Sequence, residues 1–199
     1  MTISRVNVKT LAITGLMVAL TAVMSFTPLG SIPTPWATIT IAFLPTIIAA
    51  MTVGFWPAVA VGASAGIFSL IRATYIVSIL QPFMLNPLIS VLPRIMIAVV
   101  VFFVFRAFMK LKVPKFVAAP VSAAIGGITN TVLVLGGVWL LYGAAANEAT
   151  MNANSEHFTT FWTFIVFVVT TNAILEVAAY AILGAAIVLG LSRAKFLDN

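Results

Sequence analysis

The sequence predicts an all-α integral membrane protein with six transmembrane helices and both termini in the cytoplasm. Three observations support this fold class. Hydrophobic residues make up 62% of the 199 residues, charged residues make up only 7%, and the basic residues lie at the ends of apolar stretches. A soluble domain of this length cannot bury so much apolar surface, so a bilayer must cover it. We expect a single membrane domain over residues 1–199.

Six apolar stretches are candidate spans, because a helix needs ~20 mostly apolar residues to cross a bilayer. The predicted helices cover residues 8–26, 38–53, 58–71, 87–109, 116–142 and 158–191. The second is short and contains Pro45, and the fourth contains Pro93. Between them lie a proline-rich loop at 27–37, a tight turn at 54–57, a longer connection at 72–86, a basic loop at 110–115 and a polar loop at 143–157.

The distribution of basic residues predicts the orientation, since six spans place both termini on one side of the membrane. Only Arg72 lies in a loop on the opposite side. Eight basic residues lie on the side of the termini: Arg5, Lys9, Arg106, Lys110, Lys112, Lys115, Arg193 and Lys195. Because Lys and Arg are enriched in cytoplasmic loops, both termini are predicted to be cytoplasmic. The expected location is the plasma membrane of a prokaryote.

Composition also argues against several functional classes. The net charge of +6 does not form a groove-like basic face, so nucleic acid is not an expected partner. The chain has no cysteine, one histidine and no cluster of His, Asp and Glu, which makes a metal site improbable. It contains no Gly-x-x-x-x-Gly-Lys loop and no His-Glu-x-x-His motif, so we expect neither ATP hydrolysis by this chain nor catalytic residues.

Arg94 and Glu176 are ionisable residues deep inside apolar stretches. Each costs ~2.5–3.5 kcal/mol at a helix centre, so such groups usually face a bundle interior and serve a function. Arg94 is a candidate clamp for an anionic ligand group. Two structural roles are equally open, namely an ion pair with Glu176 and a cap on the Ile89 carbonyl, which Pro93 leaves without its helical partner.

Polar side chains on the last three predicted helices can converge on one pocket. Asn86 directly precedes the fourth helix, which carries Arg94; Asn130 lies within the fifth, and Asn172 and Glu176 lie four residues apart on the sixth. The spacing of four residues stacks Asn172 and Glu176 on one helix face. Hydrogen bonds between helices are the alternative role for the two central asparagines, and such bonds contribute ~0.6–2 kcal/mol. We expect a ligand site because three different helices each contribute polar side chains that can reach the same pocket.

The proline-rich loop before the second predicted helix carries Trp36, followed by Thr38. A rigid loop with an exposed aromatic residue can cover a site that opens outward, which makes both residues candidates for substrate binding. Alternatively, Trp36 is an anchor at the membrane interface, where tryptophan is commonly found.

Small residues mark two close-packing surfaces. On the first predicted helix, Ala12, Gly15 and Ala19 allow another helix to approach closely, either within the bundle or from a partner protein. On the third, Gly62 and Gly66 have the same spacing, and tight packing within the bundle is the favoured interpretation.

The order of these features resembles the substrate-binding S component of energy-coupling factor vitamin transporters. The resemblance covers nearly the whole chain and rests on Gly15 with Ala19, on 39–50, on 54–69, on 86–94, on Asn130-Thr131 and on 172–176. It implies a six-helix fold that binds a vitamin near the outer surface. It also implies a membrane coupling protein and two ATP-binding cassette ATPases as partners, which use the ATP, with no cofactor in this chain. Gly15 and Ala19 correspond to the Ala-x-x-x-Ala partner-binding surface of the family, and Ala12 is expected to belong to the same surface.

The resemblance implies that the S component binds substrate facing outward and then topples within the bilayer to release it inside. Polar amides, hydroxyls and one cation suit a small ligand with a carboxylate and hydroxyls, so pantothenate is the favoured substrate. Folate, riboflavin and a pyrimidine or pyridoxine-type ligand remain open. A solitary secondary carrier or small channel is the rival function, and an intramembrane enzyme is a more distant one.

Overall fold

The computed structural model describes residues 8–28, 30–33, 38–75, 80–153 and 160–193, which form a helical bundle with one short two-stranded ribbon. In chain order the elements are α1 (Val8–Phe26), β1 (Ser31–Pro33), β2 (Thr38–Thr40), α2 (Leu44–Thr52), α3 (Phe55–Arg72), a 3₁₀ turn (Gln81–Leu85), α4 (Pro87–Ser90), α5 (Leu92–Lys110), α6 (Lys115–Ala153), α7 (Phe161–Val168), a π-helical turn (Val169–Ala173) and α8 (Ile174–Arg193).

Five helical stretches are long and apolar enough to cross a membrane: Val8–Phe26, Phe55–Arg72, Pro87–Lys110, Lys115–Met151 and Phe161–Gly190. The predicted helical membrane architecture is thereby confirmed. The sixth predicted span is not, because α2 has only nine residues. At 1.5 Å per residue it is roughly 14 Å long, well short of a hydrocarbon core of about 30 Å.

The predicted helix over 38–53 is wrong in its first part. Residues Thr38–Thr40 form β2, which pairs antiparallel with β1, and α2 begins only at Leu44. Thr38, Ile39 and Thr40 are β-branched and favour extended backbone. Pro45 at the start of α2 has no N–H to give to an earlier turn, so the helix cannot extend backwards through it.

The other helices differ from their predicted bounds mainly near prolines and where the helical backbone is interrupted. α3 begins at Phe55, because Pro57 is tolerated in a first helical turn. The helix predicted over 87–109 is divided at Val91 into α4 and α5. α6 continues to Ala153 through a non-helical Tyr142, so the polar loop predicted from residue 143 is wrong up to that point.

α2 lies at the centre of the bundle, where all but one of its nine residues are buried. α3 packs tightly against the turn between α4 and α5. A Cβ at Gly62 would lie 2.6 Å from the Arg94 carbonyl oxygen, and one at Gly66 would lie 2.6 Å from Val91 Cα. The predicted internal packing of these two glycines is confirmed, and it fixes the position of Arg94.

α1 lies at the periphery of the bundle. Its buried residues Thr21 and Ser25 face inward, whereas Ala12, Gly15 and Ala19 are all exposed. A Cβ at Gly15 would meet no atom within 4 Å. The alternative that these small residues serve packing within the bundle is therefore wrong for the described part of the chain, and they form an open surface.

Candidate substrate-binding site

A polar cavity of about 90 Å³ lies at the end of the bundle where α1 and α3 end and α5 begins. Its polar lining comes from eight elements of the fold: Ser25, Thr40, Ser69, Arg72, Gln81, Arg94, Asn130, Thr131, Asn172 and Glu176. Apolar residues complete the wall, among them Phe43, Met84, Leu135 and Val168. In a chain with so few polar residues, this concentration identifies the cavity as the candidate site.

Arg94 is 6% exposed and held from two sides. Its Nη1 donates to the Ile89 carbonyl at 2.9 Å, and its Nη2 donates to Ser69 Oγ at 3.3 Å. The guanidinium also lies 4.8 Å from the centre of the Phe43 ring. The Ile89 carbonyl is the group that Pro93 leaves without a helical donor, so the predicted cap is confirmed.

Arg94 nevertheless retains capacity for a ligand. A guanidinium has five N–H donors, and the two anchoring bonds use two of them. Its Nε is buried without a hydrogen-bond partner. Because an unmet buried donor is costly, an acceptor at this position would be bound favourably.

Glu176 lines the same cavity, but its carboxylate is hydrogen-bonded to the backbone of the protein. Its Oε1 accepts from the backbone N–H of Thr40, while Tyr180, one turn later, donates its hydroxyl to the Thr40 carbonyl. Both backbone groups of Thr40 are thus satisfied by α8. Arg94 and Glu176 share the cavity without forming an ion pair with each other in the described structure, and Glu176 braces strand β2.

Asn130 and Asn172 line the cavity, and each has one buried polar atom without a hydrogen-bond partner. Both side chains are less than one tenth exposed, and both line the cavity. The Oδ1 atom of Asn130 and the Nδ2 atom of Asn172 are buried without a partner. The π-helical turn Val169–Ala173 carries Asn172, and π turns are frequent at functional sites. One free acceptor and one free donor thus point to a ligand that offers both.

Arg72 and Gln81 are lining residues that were not predicted from the sequence. Arg72 is 7% exposed and ends α3, and Gln81 begins the 3₁₀ turn. The available signal was topological. Arg72 is the one basic residue predicted in a loop on the side opposite the termini, and its side chain is buried in the cavity wall.

The structure does not bring every predicted residue into the cavity. Asn86 is the N-cap of α4, where its side chain accepts from Leu88 N–H and donates to Tyr142 Oη at 3.0 Å. It is absent from the cavity wall. The backbone of Thr38 belongs to β2, next to the lining residue Thr40. Trp36 lies outside the described residues, so its predicted role stays a prediction.

A family model described as "ECF transporter, substrate-specific component" matches residues 9–188. The chain belongs to this family. The predicted resemblance is confirmed at family level over nearly the whole chain. The S component is accordingly a vitamin-binding, multi-pass membrane subunit that works with an ECF module of coupling protein and ATPases; it is part of a transporter and not an enzyme. No curated protein sequence matches it closely enough to add to this assignment.

The hydrogen bonds from Glu176 and Tyr180 to Thr40 lead to a prediction about stability. Tyr180→Phe should destabilise the S component by about 0.5–1.5 kcal/mol, because the hydroxyl of Tyr180 no longer donates to the partly buried Thr40 carbonyl. Glu176→Gln should change stability far less, since a glutamine oxygen can still accept from the Thr40 N–H. Thermal unfolding in detergent measures both. Equal losses in the two variants would mean that the charge of Glu176, and not its bond to Thr40, stabilises the ribbon.

Proposed function

We propose that the S component binds a compact carboxylate-bearing vitamin, with pantothenate as the best candidate, in the cavity between Arg94, Asn130 and Asn172. The observation that carries the proposal is the unmet hydrogen-bonding capacity of these three buried side chains around one cavity. Pantothenate has a carboxylate, an amide and two hydroxyls. The cavity offers a complementary group for each.

The carboxylate is assigned to Arg94, with Arg72 as a second cation in the same wall. Planar guanidinium groups bind carboxylates with two parallel hydrogen bonds, which makes arginine well suited to this role. The ring of Phe43 and the anchors at Ile89 and Ser69 hold the Arg94 side chain in place before a ligand arrives. Such preorganisation lowers the entropic cost of binding.

The amide is assigned to the two asparagines. The free Oδ1 of Asn130 can accept from a ligand N–H, and the free Nδ2 of Asn172 can donate to a ligand carbonyl. Ligand hydroxyls would face Glu176, Gln81 and Thr131. Folate, riboflavin, and pyrimidine and pyridoxine-type ligands remain the alternatives for this site.

Transport is proposed to follow the toppling mechanism. The open α1 surface of Ala12, Gly15 and Ala19 would contact the coupling protein, and two ATP-binding cassette ATPases would supply the energy. Large apolar side chains, including Leu11, Leu16 and Leu20, flank this surface and are exposed. A nearly uncharged lipid-facing surface allows the S component to reorient without moving charges through hydrocarbon. The proposed setting is a prokaryotic plasma membrane, with both termini in the cytoplasm and the cavity near the outer face.

Mass-spectrometric identification of the vitamin that copurifies with the S component tests the ligand assignment. Pantothenate should be recovered in about equimolar amount and should bind again to stripped protein in calorimetry. Recovery of another vitamin would overturn the assignment to pantothenate but leave the cavity intact. Uptake in cells that lack the ATPases would contradict the coupled mechanism and support a solitary carrier.

Asn130→Leu and Asn172→Leu test the cavity itself. Each change should weaken vitamin binding roughly 10-fold, near the free energy of one hydrogen bond. Neither should lower the melting temperature of the ligand-free protein, because each removes an atom that has no partner within the fold. Calorimetry and thermal unfolding measure the two quantities. Lower stability with unchanged binding would assign the asparagines to helix packing.

A further inference from the structure

A second cleft lies at the opposite end of the bundle, between the α2–α3 turn and the end of α5. Its volume is about 440 Å³. The lining residues are Ala50, Met51, Thr52, Val53, Gly54, Phe102, Phe105, Arg106, Met109 and Lys110. Apolar side chains dominate this wall. The substrate site does not use any of these residues.

The charge of this cleft is positive and has no acidic counterpart in its wall. Arg106 and Lys110 lie four residues apart, so both project from one face of α5, and both are exposed. The Arg106 guanidinium lies 5.0 Å from the centre of the Phe102 ring, which holds it against the cleft. The acidic residues within the described ranges, Glu148 and Glu176, belong to α6 and to the substrate cavity and do not line it.

The start of α3 adds to the positive potential. Gly54 is its N-cap at φ 137°, a conformation that strains other residues, and no side chain caps the helix there. The first N–H groups of a helix and its dipole attract anions. Two cations and a helix N-terminus therefore surround one end of an otherwise apolar cleft.

We propose that this cleft binds an anionic phospholipid. The phosphate lies between Arg106 and Lys110, and an acyl chain runs along the apolar wall formed by Met51, Phe102 and Met109. The position fits a lipid, because α5 changes here from an apolar helix to a basic turn, as helices do at the headgroup level. Charge complementarity favours a net-negative headgroup over a zwitterionic one.

Native mass spectrometry of the purified S component with phosphatidylglycerol or phosphatidylcholine of the same acyl chains tests this proposal. Phosphatidylglycerol should bind more tightly, by about fivefold or more, because its headgroup has a net negative charge whereas the choline cation of phosphatidylcholine cancels the charge of the phosphate. Arg106→Gln with Lys110→Gln should abolish the preference. The matched control, Lys112→Gln with Lys115→Gln, removes the same charge from the adjacent turn outside the cleft and should retain it.

Equal binding of the two lipids, or an equal loss in the control variant, would overturn the proposal. Glycerol phosphate, which has no acyl chains, should not displace the bound lipid, and displacement would mean that the cleft is a site for soluble phosphate. A third outcome would also contradict the proposed lipid site. If lipid binding shows no preference but Arg106→Gln with Lys110→Gln weakens assembly with the coupling protein, the occupant is an acidic protein segment.

Discussion

Arg94→Ala is expected to weaken binding of a carboxylate vitamin by about 100-fold, since loss of one partner of a buried charge pair costs roughly 2–5 kcal/mol. A neutral amide analogue of the same vitamin should lose much less. Calorimetry with both ligands on both proteins measures the difference. The comparison isolates the charge interaction, because the two ligands share every other contact.

Two further variants separate ligand binding from the structural bond to Ile89. Arg94→Lys keeps the charge but not the planar fork, so it should recover part of the affinity for the carboxylate. Ser69→Ala removes one anchor of Arg94 without touching its charge and should produce a smaller loss. If Arg94→Ala weakens the carboxylate and the amide equally, its role is to cap the chain at Ile89, and the carboxylate assignment is wrong.

Gly15→Leu is expected to leave vitamin binding unchanged and to reduce transport by about tenfold or more, since a bulky side chain in a close helix contact costs roughly 1–3 kcal/mol. The side chain fits the isolated S component, because no atom lies within 4 Å of a Cβ at this position. Vitamin binding in detergent and uptake in vesicles with the complete transporter give the two readouts.

Gly190→Leu is the matched control for this prediction. It is the same substitution at an exposed glycine with open space around it, but on α8 instead of α1. We expect it to transport normally. Normal uptake by Gly15→Leu would show that α1 does not form the contact, and equal loss in both variants would indicate a general effect of a larger lipid-facing side chain.

Much of the fold could be predicted from the sequence because hydropathy determines where long helices cross a bilayer. Hydropathy does not distinguish a central helix from an extended segment when both are apolar. Residues 38–43 are such a segment, and only the β-branched Thr38–Thr40 and Pro45 signalled that α2 begins late. The break at Val91 had a similar local signal in Pro93, whereas the π-helical turn at Val169–Ala173 had none.

The site could be predicted in part for a related physical reason. Arg94, Asn130, Asn172 and Glu176 stand out because a polar group within a span is costly, and all four line the cavity. Arg72 and Gln81 stand at ends of elements, where polar residues are common, so the sequence could not reveal their burial. Asn86 was predicted to converge on the same pocket, but its side chain caps α4 instead.

The brace at Thr40 has a consequence for how the chain inserts into the membrane. In hydrocarbon, each unsatisfied backbone group costs several kcal/mol. The partners of Thr40 are Glu176 and Tyr180, which lie 136 and 140 positions later in the chain. The Thr40 N–H and carbonyl therefore gain these two partners only after α8 has been synthesised. We expect the wall of the substrate cavity to be completed at that point, late in the assembly of the S component.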